Sequence, residues 1–157
     1  ENKCQFCIVG HSERRQIFKQ SNKDISLKAK NLINNMINPI ICIGETFEEK
    51  NKGLTKEVLQ KQILNSLPQN SKKQSVILAY EPIWAIGTGL TPTLKEIEVI
   101  HSFIKNDIKN FTNYKILYGG SVKSNNAKDI MNLENVDGVL VGGASLDPLE
   151  FIKILNS

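Results

Sequence analysis

No apolar stretch in this chain approaches the roughly 18 residues that a membrane-crossing helix needs, and the opening Glu1-Asn2-Lys3-Cys4 lacks the layout of a secretion signal. These absences predict a soluble, cytoplasmic protein. Cysteine is scarce, with three residues in all. An odd count argues against a disulfide framework, and Cys4-x-x-Cys7 has no second pair to complete a zinc site, so no metal is expected. Cys7 and Cys42 read instead as fillers of buried strand positions. The net charge is only +4, and the lysines are scattered along amphipathic stretches without interleaved aromatics, which argues for a solvated surface and against a nucleic-acid partner. There is no G-x-x-x-x-G-K run. Gly87-Thr88-Gly89 lacks the third glycine of a dinucleotide fingerprint because Pro92 stands where it would fall. Gly119-Gly120-Ser121-Val122 is not the G-x-S-x-G elbow of a serine hydrolase. Hydride transfer and acyl transfer drop out.

What is present is a repeat of short apolar runs, each followed by a helical pattern. Five runs read as strands: Phe6 to Val9, Ile40 to Ile43, Val76 to Tyr80, Lys115 to Tyr118 and Gly138 to Val141. Ile25, Ala29, Leu32, Ile33 and Met36 recur at helical spacing after the first, and Leu59, Ile63 and Leu67 after the second. Leu94, Ile97, Ile100, Ile104 and Ile108 form a third stripe, with Thr93 and Glu96 in capping-box register and Pro92 near the first turn. Ser124 is placed to cap a short helix through Met131. Asp147 and Pro148 open the last helix, with Leu149, Ile152 and Leu155 on one side. No hairpin turn separates the runs, so the fold class is α/β with a parallel sheet and right-handed crossovers. The 157 residues read as a single domain. The polar segment Asn65 to Gln74 fits a helix-to-strand connection better than a domain boundary.

The unusual residues follow directly on the carboxyl ends of the strands, where parallel α/β sheets gather their ligands. They are Gly10-His11, Gly44-Glu45, Glu81, Gly119-Gly120-Ser121 and Gly142-Gly143. Glu81 ends a strand whose uniform apolarity suggests burial on both faces. Behind it Pro82, Ile83, Trp84 and Ile86 put large apolar groups in a loop with flexible glycines, which suits a lid over a proton-transferring carboxylate. A solvated rim carboxylate with an ordinary loop is the competing reading. Glycine pairs let backbone N–H groups converge on an oxyanion, and both Gly119-Gly120 and Gly142-Gly143 read as running into helix starts with positive dipole ends, although double glycines also simply relieve crowded turns. His11, beside a helix start, suits a neutral hydrogen-bond donor. His101, on a helix without partners, reads as structural.

The blocks Gly10-His11-Ser12-Glu13-Arg14-Arg15, Cys42-Ile43-Gly44-Glu45, Tyr80 to Gly89 (YEPIWAIGTG), Tyr118-Gly119-Gly120-Ser121-Val122 and Val141-Gly142-Gly143-Ala144-Ser145-Leu146 resemble triosephosphate isomerase in order and spacing. The resemblance implies a TIM (β/α)8 barrel type of fold and a role in glycolysis and gluconeogenesis. Dihydroxyacetone phosphate and glyceraldehyde 3-phosphate would interconvert through an enediolate without a cofactor or metal. It implies Glu81 as the proton carrier, His11 as the polarising donor and Glu13 as a second carboxylate. Pro82, Ile83, Trp84, Ala85, Ile86, Gly87 and Thr88 would form the lid, and Tyr118 its latch. Gly87, Ser121, Gly142 and Gly143 would be the phosphate donors. A carboxylate base, a neutral histidine and a closing loop are the general features of that enzyme family, and the resemblance carries them over to these residues.

The barrel has eight strand–helix units and about 250 residues, and only five are legible. Gly10-His11 resembles the end of the family's fourth strand, so the match runs from there to the family's end. The catalytic lysine after strand one, its asparagine neighbour and the dimer loop have no counterpart. The resemblance therefore implies an isomerase polypeptide that is inactive alone, needs an N-terminal complementing segment, and cannot be assumed to form the usual homodimer. The alternative is a non-catalytic phosphate-binding or interaction module on the same fold, using exposed sheet edges. Leu90 stands where a lysine is common, and Lys105 where an arginine would pair with Asp137.

Overall fold

The computed structural model describes residues 3–68, 76–86, 88, 90–108 and 114–157. Five parallel strands, β1 (Phe6–Val9), β2 (Asn38–Ile43), β3 (Ile77–Tyr80), β4 (Lys115–Tyr118) and β5 (Gly138–Val139), lie side by side in chain order. Each crossover carries helix: α1 (Ser12–Ile17) and α2 (Asn22–Asn34), then α3 (Phe47–Asn51) and α4 (Thr55–Ser66), then α5 (Leu94–Ser102), then α6 (Ala127–Met131). Helix α7 (Pro148–Leu155) follows β5. Crossovers of one hand in a sheet whose order never reverses put every helix on the same face, and the other face is left as the inside of a barrel arc. A doubly wound sheet would need a reversal.

Register enforces this division. Ile41, Leu78 and Ile116 are in register across three strands, as are Ile43, Tyr80 and Tyr118. Both rows enter one core with Ile25, Ile63 and Ile97 from the helices. Each fully buried isoleucine contributes about 1.5–3 kcal/mol. By the two-residue alternation of a strand, Phe6 and Ile8 face the opposite way, and both are about half exposed.

Element ends depart from the sequence pattern where backbone bonding overrides periodicity. Strand β2 starts earlier than Ile40 because the Asn38 N–H donates to the Gln5 carbonyl at 2.8 Å. Strand β5 is shorter than expected, although the Leu140 N–H still reaches the Tyr118 carbonyl at 2.8 Å; it is an edge with no outer neighbour. Met36 lies beyond α2 at φ 60 and is exposed, Leu67 is the α4 C-cap in extended backbone, and Ile108 follows a π-helical turn, Phe103–Asp107. Ser124 is not the cap of α6, which begins at Ala127 after Asn126; its N–H instead donates to Glu150 Oε1 at 2.8 Å. The Thr93–Glu96 capping box and the Asp147 cap before Pro148 form as expected. Lys105 pairs with Asp137 at 3.0 Å, taking the place expected for an arginine. Of the Asn65 to Gln74 connection, residues 69–74 lie outside the described residues, and residues 65–66 close α4.

The α7 stripe is a further departure. Leu149, Ile152 and Leu155 share a side but are exposed, while Ile154 is the buried residue. The sequence predicts the stripe and not what covers it.

His101 is fully buried, with Nδ1 3.3 Å from the Asn135 carbonyl and its ring edge-on to Tyr80. Burial lowers its pKa to about 4 from the ordinary 6.5. Between those values the unfolded chain binds the proton and the folded chain does not, so stability is complete above about pH 6.5 and is lost on acidification towards 4. The loss from this residue should reach about 2 kcal/mol by pH 5. Burial raises Glu81 and Glu45, which act in the opposite sense. The test is therefore the difference in urea midpoints, pH 7 against pH 5, between the chain and a His101→Gln variant. Equal acid losses in both would refute the assignment.

Candidate active site

The carboxyl ends of β1, β3, β4 and β5 converge on a cavity of about 570 Å³ whose wall includes His11, Glu81, Ile86, Ser121, Gly142 and Gly143, whereas Gly44 and Glu45 after β2 are not part of that wall. Glu81, directly after β3, is 3% exposed. Its Oε1 is 3.3 Å from His11 Nε2, and its Oε2 accepts the Ser12 N–H at 3.3 Å. Burial is the largest influence on its carboxyl and raises the pKa, opposed by His11, the Ser12 amide, the Cys42 thiol and Arg15. A carboxylate made more basic by partial desolvation is suited to accept a proton near neutral pH.

His11 caps α1. Its Nδ1 accepts the Glu13 N–H at 3.4 Å, so the ring proton lies on Nε2, facing Glu81. Arg15 staples the ends of β1 and β2, with Nε on the Gly10 carbonyl at 2.8 Å and a guanidinium N–H on the Cys42 carbonyl at 2.9 Å. The charge thus sits behind Glu81 without entering the cavity.

The segment expected to form the lid begins with Pro82 and a 3-10 turn, Ile83–Ala85. Trp84 Nε1 donates to Glu45 Oε1 at 2.8 Å, and the Tyr80 hydroxyl reaches the same oxygen at 3.2 Å. Thr88 Oγ1 closes the turn on the Trp84 carbonyl at 2.7 Å. Gly87 lies outside the described residues, and so does Gly89. Tyr118 Oη is buried and has no partner among the described residues.

Among the described residues the amides of Ser121 and Gly142 have no protein acceptor. Gly142 and Gly143 begin a 3-10 turn, Gly143–Leu146, as the sequence implied for a helix start. Gly119-Gly120 does not run into a helix; α6 begins only at Ala127, and a Cβ on Gly120 would lie 2.2 Å from the Tyr118 hydroxyl. Close packing explains that glycine. Glu13 is exposed on α1 and forms no part of the cavity wall, so the structure does not bring its carboxylate to Glu81. No group of metal-ligating side chains occurs among the described residues. Cys42 is fully buried as expected, Cys7 only partly.

The sequence assigned no part in the site to Ser12, Arg15 or Lys123, which lines the same cavity, read Cys42 only as a strand filler, and placed Glu45 at a strand end without a role. Ser12, Arg15, Cys42 and Glu45 lie inside the matching motif blocks; Lys123 follows directly on one.

A one-face parallel sheet with an acid, an imidazole and glycine-rich turns at its carboxyl ends defines the TIM-barrel class of α/β proteins. The family profile described as triosephosphate isomerase matches residues 1–157. The chain belongs to the triosephosphate isomerase family. It is 45% identical to the triosephosphate isomerase of Francisella tularensis subsp. mediasiatica, over 98% of this chain and 63% of that protein. It is 46% identical to that of Thermodesulfovibrio yellowstonii, over 97% of this chain and 64% of that protein. The crystal structure of triosephosphate isomerase from Bartonella henselae superposes with a TM-score of 0.87 at 32% identity, covering 97% of this chain and 64% of that one. The chain thus spans under two thirds of the length of these relatives. No helix among its described residues is long and apolar enough to cross a membrane.

Proposed function

We propose that this chain supplies the proton-transfer half of a triose-phosphate isomerase, interconverting dihydroxyacetone phosphate and glyceraldehyde 3-phosphate in the cytoplasm. The observation that carries the reading is the Glu81–His11 contact of 3.3 Å on the wall of a cavity that also holds the Ser121 and Gly142 amides, which are unpaired among the described residues. Glu81 takes a proton from one carbon beside the carbonyl and returns it to the other. His11 Nε2–H hydrogen-bonds the oxygen that gains charge, a role for a fixed donor in a site with little water. The amides and Lys123 hold the phosphate at the far side of the cavity, with Gly87 contributing from the lid. Tyr118 Oη takes a lid partner on closure, and that satisfies its buried hydroxyl.

The arc is incomplete. Five of eight strands leave β1 and β5 as edges. Three further units would close the sheet between them, cover Phe6 and Ile8, bring the family's lysine, and give the Glu13 carboxylate a neighbour. The exposed Leu146, Leu149, Ile152 and Leu155 favour an interaction surface, and the same missing units are its most economical occupant. An expected result follows: the chain alone has no measurable isomerase activity. Mixing it with a polypeptide carrying the remaining three units of the Francisella tularensis relative should restore activity. A well-folded complex that stays inactive would favour the non-catalytic reading.

A further inference from the structure

The lid's indole is held on two sides, and only one of these contacts involves the buried carboxylate already described. Lys50, on α3, places Nζ 3.4 Å from the centroid of the Trp84 ring and 3.1 Å from Glu96 Oε1. Glu96 is itself fixed, because its other oxygen accepts the Thr93 N–H at 2.8 Å and the Thr93 hydroxyl at 2.9 Å in the capping box that starts α5. Helix α3 is anchored by a second capping box between Thr46 and Glu49. Two capped helices thus present a cation at a set position over the indole face while Glu45 holds its N–H.

We propose that Lys50 is a positioning residue for the lid: the Glu96–Lys50–Trp84 stack anchors the indole in the arrangement seen here, and lid movement must break it. This rests on the reading of residues 82–88 as a lid. Removing a cation–π contact of this kind should shift the lid equilibrium away from the anchored state by roughly 2- to 30-fold. Lys50 and Glu96 are both partly exposed, so their replacement leaves the core intact.

Trp84 is the one tryptophan of the chain, so its fluorescence reports the stack without any need for catalysis. Lys50→Met should raise acrylamide quenching of Trp84. Glu96→Gln should do so more weakly, since glutamine keeps the capping box but not the charge. Lys50→Arg should behave like the unsubstituted chain, because a guanidinium both pairs with a carboxylate and stacks on an indole. In the completed barrel, Lys50→Met should also bind 2-phosphoglycolate more tightly, within the same 2- to 30-fold range. Unchanged quenching in Lys50→Met overturns the anchor. So does Lys50→Arg matching Lys50→Met, or an indole already fully quenchable in the unsubstituted chain. A quenching response in a completed barrel that has no isomerase activity upholds the anchor and sinks the isomerase reading instead.

Discussion

Replacing Glu81 by glutamine is expected to lower the activity of the completed barrel by about 10²- to 10⁴-fold, the usual contribution of a positioned general base. The substitution is nearly isosteric. A glutamine keeps the volume of the side chain, but its carbonyl oxygen replaces only one of the two oxygens that accept from His11 Nε2–H and the Ser12 N–H, and its amide nitrogen faces the other donor. The loss should still fall mainly on kcat rather than KM, because the substitution removes proton capture. Glu81→Asp tests the same point by distance, because a carboxylate withdrawn by about one methylene keeps its basicity but is misplaced, and misplacement of about 1 Å can cost about 10²-fold. Initial-rate measurements in both directions would check both variants. Activity within tenfold of the unsubstituted barrel for Glu81→Gln would remove Glu81 from the role of proton carrier.

Much of this site was legible because parallel sheets collect function at one end. Once Phe6 to Val9, Val76 to Tyr80 and the other runs are read as parallel strands, the residues just after them must share a rim. The structure does place His11, Glu81, Ser121, Gly142 and Gly143 around one cavity. The contacts that tune the site were not legible, since they join loops far apart in sequence. Trp84 meets Glu45 across 39 positions and Ser12 meets Glu81 across 69. Periodicity also overshoots helix ends, because Met36 and Ile108 continue an apolar spacing after the backbone has turned away. For α7 the limit is different. The apolar side of Leu149, Ile152 and Leu155 is plain in the sequence, but a pattern says which side seeks cover and not which segment provides it.

Gly44→Ala should be among the most damaging single-methyl additions in the chain, and the reason is space and not backbone angle. An added Cβ would stand 1.8 Å from the carbonyl oxygen of Glu81 and 2.8 Å from its carbonyl carbon. Neither neighbour can yield. The Glu81 N–H is bonded to the Ile43 carbonyl at 2.7 Å, and Pro82 follows at once. Nor can Gly44 move, because Gln62 on α4 grips its peptide from both sides, accepting the N–H at 2.8 Å and donating to the carbonyl at 2.9 Å. Overpacking against adaptable side chains costs about 1–3 kcal/mol, and a clash with fixed backbone should meet or exceed the upper figure. Gly53→Ala is the informative contrast: Gly53 has φ +71, but nothing lies within 4 Å of its added Cβ, so only the left-handed backbone penalty of about 1–2 kcal/mol applies. Urea denaturation of the two variants should therefore rank Gly44→Ala below Gly53→Ala. In the completed barrel Gly44→Ala should also depress activity, because the atom it displaces belongs to Glu81, the residue proposed to carry the proton. Equal stability losses for the two glycines would mean that β2 and β3 do not hold Gly44 against Glu81 as closely as this packing requires, and the placement of the carboxylate would lose its support.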